Sequence, residues 1–201
     1  MNTTTKLQSN EIREHILATG QRIIAGKGFS AVGLNEILKE AGVPKGSFYH
    51  YFGSKEAFGV NMLAHYFDDY LVDIDRTLCQ PGLNMAQRLM NYWQQWRESQ
   101  SFSECQGKCL AVKLGAEVAD LSDSMRLTLE AGTSRIISRL AEALELGVAE
   151  GSLTIDDTPR TVAESLYQLW VGASVRVKIV QNTGPFDSAL ITTRKIIHLT
   201  A

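Results

Sequence analysis

Proline is scarce in this chain, with four residues in 201, and three of them (Pro81, Pro159 and Pro185) fall between long segments of helical periodicity. No stretch keeps a convincing two-residue alternation, so a sheet is not expected and the chain reads as nearly all helix. Cysteine is scarce too: Cys79, Cys105 and Cys109 are too few for a disulfide scaffold, and an odd number leaves one unpaired. No apolar run is long enough to span a bilayer, and the opening Met1–Asn10 is polar with one Lys and no acid, unlike an export signal. A cytoplasmic protein without membrane association is expected.

Catalytic signatures are missing as well. There is no C-x-x-C, no Gly-rich phosphate loop and no Ser or Cys set in a nucleophile motif, so an enzyme such as a thiol transferase or cysteine hydrolase is not expected. Cys105 and Cys109 would offer two metal ligands, but no histidine lies close in sequence to complete a set, so neither metal nor cofactor is expected.

What is present is a foldable chain, 44% hydrophobic and 21% charged, which is too apolar for a disordered tail. Its net charge of −2 is unevenly spread. Over Met1–Lys55, seven Lys and Arg (Lys6, Arg13, Arg22, Lys27, Lys39, Lys45, Lys55) outnumber four Glu (Glu11, Glu14, Glu36, Glu40), giving +3 and leaving −5 for the rest. A basic front suggests contact with a polyanion, though the imbalance is too small to carry that conclusion alone.

The spacing predicts a first helix from Ser9 to about Lys27, with Ile12, Ile16, Ile23 and Ile24 as its apolar stripe and Gly28 ending it. A short helix over Leu34–Ala41 follows. Gly42, Val43 and Pro44 make a tight turn, Lys45–Phe52 a third helix, and Ser54 is placed to cap a fourth running to about Leu78. Further helices are expected near Met85–Gln100, Glu104–Ala119, Asp123–Glu150, Pro159–Asn182 and Phe186–His198. The expected fold is all-α: a three-helix head carrying a helix-turn-helix on a larger helical bundle, about nine helices in all.

Within the head, Ile37 and Leu38 can pack the second helix on the first, while Phe48 and Phe52, four apart, turn the third helix inward. The opposite face then presents Lys45, Gly46, Ser47, Tyr49, His50 and Tyr51, a set of donors, small residues and aromatic edges suited to a DNA major groove. The segment GFSAVGLNEILKEAGVPKGSFYHYFGSKEAF resembles the helix-turn-helix of the TetR family of repressors over nearly its whole length. That resemblance implies a DNA-binding domain over 1–55 and a regulatory and dimerisation domain over 56–201. It makes Lys45, Gly46, Ser47 and His50 candidates for base or groove contact, and Tyr49, Tyr51 and Lys55 candidates for holding phosphates. It also implies a homodimer on near-palindromic double-stranded operator DNA, with recognition helices about 34–36 Å apart. The apolar stripe Val162, Leu166, Leu169, Trp170, Ala173 and Val177, with Ile191, Ile196 and Ile197, is the expected dimer contact.

In the second domain, CLAVKLGAEVADLSDSMR, the Leu169–Ala173 run and the Val-Lys-Ile around Lys178 resemble members of that family released from DNA when electrophiles or reactive chlorine species modify a cysteine, with Cys109 at the sensing position. The residues offer separate support: an expected helix start at Cys109, with Lys108 adjacent and Lys113 one turn on, favours a thiolate. Lys178, a cation in the otherwise apolar Val171–Val180 run, needs a counter-charge, water or a thiolate, and Cys105 is placed to resolve a sulfenic acid. Three alternatives stand beside this reading: cysteines as small core fillers, a hydrophobic small-molecule inducer held by Tyr92, Trp93, Trp96 and Phe102, and a helical interaction module with no DNA role.

Overall fold

A computed structural model describes residues 2–99 and 109–199, and among them the architecture is all-helical. The helices are α1 (Asn2–Lys27), α2 (Leu34–Ala41), α3 (Lys45–Phe52), α4 (Lys55–Leu78), α5 (Met85–Ser99), α6 (Leu110–Leu121), α7 (Asp123–Ala149), α8 (Pro159–Val180) and α9 (Gly184–Ile196). Packing divides the chain into two units: Met1–Asp68 with Cys109–Gly132, and Asp69–Lys108 with Thr133–Ala201. The motif boundary at residue 55 is therefore not a packing boundary, because the first unit also takes in the start of α4 and all of α6.

In the first unit, α1 is longer than its apolar pattern implied, beginning at Asn2 rather than Ser9. Its buried face is Ile16, Leu17, Ile24 and Ala25, whereas Ile12 is exposed and Ile23 only partly covered. Gly42 takes the left-handed conformation (φ 66°, ψ 29°) that ends α2, and the Val43 N–H donates back to the Leu38 carbonyl at 3.1 Å. Pro44, extended at φ −70° and ψ 151°, then launches α3. Ser54 caps α4, its Oγ accepting from the Ala57 N–H at 3.0 Å. Phe48, Phe52 and Phe58 form a ring cluster with centroids 5.1–5.3 Å apart, fixing α3 to the start of α4. Phe58 completes this anchor from beyond the motif's third helix.

The second unit has an aromatic core. Trp93 stacks on Trp170 (4.9 Å, 15°), which stacks on Phe186 (5.8 Å, 20°), joining α5, α8 and α9. Two of the three buried indoles find hydroxyl acceptors: Trp96 Nε1 donates to Ser174 Oγ (2.9 Å) and Trp170 Nε1 to Thr193 Oγ1 (3.0 Å), while Trp93 Nε1 has none among the described residues. Tyr92, Trp93 and Trp96 are all buried and in ring contact with one another, so core packing accounts for them. Phe102 lies outside the described residues.

The expected dimer stripe needs correcting here. Val162, Leu166, Trp170, Ala173, Val177 and Ile197 are buried within the chain itself, because α8 turns that wide face onto its own core and α9. Of the expected stripe, Leu169 and Ile196 are partly exposed and Ile191 is exposed (57%), and Val175 and Ile179 (64% exposed) also face outward.

Candidate nucleic-acid interface and cysteine site

α3 is held by its two buried rings, and that choice of inward face fixes what points out. Lys45, Gly46, Tyr49 and His50 are exposed, and Ser47 and Tyr51 partly so. The Lys45 ammonium lies 5.7 Å from the centre of the Tyr49 ring, and His50 and Tyr51 meet edge to face at 5.0 Å. A Cβ added at Gly46 would meet nothing within 4 Å. The chain's own packing therefore does not call for glycine there, in the first turn of the helix. Six of the seven candidate DNA-contacting residues share this short helix, six of its eight positions.

Lys55 stands apart from that surface. Its Nζ donates to the Phe29 carbonyl at 2.8 Å and sits 4.5 Å over the Phe29 ring, and burial pushes its pKa down against the opposing pull of Glu117. Part of its donor capacity is thus spent on the junction between α1 and α2. The sequence revealed a cation at this position but not that internal bond.

Cys109 is buried (4% exposed) and is the N-cap of α6, with extended backbone (φ −109°, ψ 96°) and no side-chain capping bond to the helix. The helix expected to start at Glu104 is thus not continuous through Cys109, since that backbone lies outside the helical region. Cys109 stands at the N-terminal end of a 12-residue helix. Lys113, one turn on, donates its Nζ to the Gly26 carbonyl at 3.2 Å. Cys105 and Lys108 lie outside the described residues. Lys178 is exposed on α8, so water meets its need for solvation and burial gives no reason to seek a thiolate. Cys79, which a core-filler reading would bury, is exposed at the end of α4, with Arg139 Nη2 3.9 Å from its Sγ.

Residues 16–58 match the family described as bacterial regulatory proteins, tetR family, and residues 86–193 match the tetracyclin repressor-like C-terminal domain. The chain belongs to the TetR family. It is 41% identical over 192 residues to the HTH-type transcriptional repressor NemR of Escherichia coli K12, covering 96% of both chains. It is 33% identical to the HTH-type transcriptional repressor DhaR of Mycobacterium sp. GP1, covering 89% of this chain and 88% of that one. Among solved structures, the reduced form of E. coli NemR matches with a TM-score of 0.89 at 42% identity, over 95% of this chain and 99% of that one. A TetR regulatory protein from Rhodobacter sphaeroides matches at 0.82 and 31%, over 90% and 96%. This TetR-family chain is accordingly a transcriptional regulator rather than an enzyme. Among the described residues no helix is long and apolar enough to cross a membrane, and no cluster of three or more His, Cys, Asp or Glu could hold a metal.

Proposed function

We propose that this protein is a homodimeric repressor that binds a near-palindromic operator through α3 and is released when Cys109 is modified. In this reading residues 1–55 form the DNA-reading domain, with Lys45, Gly46, Ser47 and His50 toward base edges and Tyr49, Tyr51 and Lys55 toward phosphates. The rest of the chain senses and dimerises, the outward residues Val175, Ile179 and Ile191 forming the self-complementary face.

One observation carries the reading: the buried Cys109 caps the helix that packs on α1, the first helix of the DNA-reading domain. An adduct on a buried sulfur adds volume to a packed site, and such overpacking costs about 1–3 kcal/mol unless the surroundings move. A maleimide is a suitable probe. The sulfur bonds to one alkene carbon, the thiol proton ends on the other, and nothing leaves. Moving α6 relieves the strain and reorients the head, and coupling of about 1–3 kcal/mol corresponds to roughly 5–150-fold in DNA affinity.

The test is fluorescence anisotropy on DNA from upstream of the protein's own gene, at fixed salt, before and after stoichiometric N-ethylmaleimide. Wild type should bind tightly and release on treatment, and Cys109→Ser should bind and stay bound. Release of Cys109→Ser by the reagent would refute the assignment of this cysteine. Equal affinity for operator and scrambled DNA would refute the repressor reading itself.

A further inference from the structure

Lys113 and Glu117, four apart, lie on one side of α6, whose N-cap is Cys109, and both grip the junction at the end of α1. Lys113 Nζ holds the Gly26 carbonyl at 3.2 Å. The two Glu117 carboxylate oxygens each accept one backbone N–H, from Phe29 at 3.2 Å and from Ser30 at 2.6 Å. From α4, Lys55 Nζ holds the Phe29 carbonyl at 2.8 Å. Residues 26–30 are the junction from which α2, and through it α3, departs. Its polar backbone groups, which a plain turn would leave to water, are answered by side chains of α6 and α4.

The junction is shaped around the carboxylate. Gly28 has φ +93°, and a Cβ there would lie 2.9 Å from Glu117 Oε2. Burial raises the Glu117 pKa, but the Ser30 amide and hydroxyl, the Phe29 amide and the Lys113 charge outweigh it, holding the carboxyl below its ordinary value. At neutral pH the grip is therefore made by a carboxylate, whose bonds to N–H groups are stronger than neutral ones. The far end of α6 is pinned separately. Ser122 Oγ, at its C-cap, donates to Glu56 Oε1 of α4 at 2.5 Å, and Met125 just beyond packs where a Cβ on Gly59 would stand. With one end pinned at Ser122 and the other capped by Cys109, a displacement of the cap swings the segment that carries Lys113 and Glu117. Glu117 lies about 12 Å along the helix from Cys109.

We propose that Glu117 is the positioning residue through which a displacement of α6 reaches the DNA-reading head, its carboxylate holding the Phe29–Ser30 amides in the operator-competent arrangement and releasing them when Cys109 is modified. This rests on the reading of Cys109 as the sensing thiol. All the groups involved belong to one packing unit, so the signal needs no step outside it.

The experiment uses the full chain with N-ethylmaleimide as probe, intact-protein mass to count labelled thiols, operator anisotropy, and amide hydrogen exchange over residues 26–32. In the parent, labelling should lower operator affinity about tenfold or more and speed exchange at Phe29 and Ser30. Glu117→Ala should label Cys109 to the same extent, bind operator more weakly before labelling, and lose no more than about twofold further on labelling. Glu117→Gln, which keeps the shape and one neutral acceptor, should fall between. A merely structural glutamate would shift both affinities together and keep their ratio, so a parental ratio in Glu117→Ala overturns the proposal. Should that variant fail to fold, the Gln variant's ratio and the parent's exchange decide, and exchange at Phe29 and Ser30 unchanged by labelling overturns it as well. If labelled parent keeps its operator, the Cys109 reading has failed. The Glu117 proposal then stands only if labelling still speeds exchange at those two amides, and more in the parent than in Glu117→Gln.

Discussion

At the scale of single residues, Gly46 stands on an exposed helix face where the chain's own packing does not require a glycine. Its backbone is helical, a Cβ there has open space, and glycine is worse than alanine in a helix by about 0.5–1 kcal/mol. Under the function proposed above, close approach of the DNA backbone is the reason for glycine here. Gly46→Ala should therefore stabilise the protein by about 0.5–1 kcal/mol in thermal or urea unfolding while weakening operator binding by roughly tenfold. A stabilised variant with parental operator affinity would remove Gly46 from the interface. Lys55 makes the complementary point. Its charge is visible in the sequence, but its bond to the Phe29 carbonyl pairs residues 26 apart, which no local pattern announces.

At the scale of helices, periodicity identifies an element more readily than it identifies what the element packs against. The helix-turn-helix was legible because its signals are local: Gly42 ends α2 in the left-handed conformation, Pro44 starts α3, Ser54 caps α4, and Phe48 and Phe52 fix which face of α3 turns in. α8 misled for the opposite reason. Its apolar stripe from Val162 to Val177 suits a core or a partner equally well, and the tryptophans of α5 and α8 claim it for the core. The Glu117 grip was invisible, since its partners lie 87 and 88 residues away. The start of α6 was displaced because Cys109 adopts an extended backbone that nothing in its immediate sequence demands. The proposed dimer face carries its own prediction: Ile179→Glu with Ile191→Glu, both at exposed positions, should leave melting of the isolated protomer little changed but give a monomer by sedimentation and lose cooperative operator binding. A dimer that survives both charges places the interface elsewhere.

At the scale of the whole molecule, sequence distance and packing distance part company. The motif suggests a head that stops at residue 55, yet α6 belongs to the same packing unit as α1–α3, so the cysteine and the DNA-reading helix share one unit although more than half a hundred residues separate them in the chain. Charge follows the motif more closely, with +3 over Met1–Lys55 against −5 for the remainder, which favours docking the head on DNA and turning the rest away. On the proposed function, operator occupancy is set by the chemical state of Cys109. The most direct test titrates the protein–operator complex with N-ethylmaleimide and, in the same samples, measures the bound fraction by anisotropy and the Cys109-modified fraction by peptide mass. The bound fraction should fall in step with modification of Cys109, whatever happens at Cys79 or Cys105. Full modification of Cys109 with the operator still bound, or release while Cys109 is untouched, would contradict it.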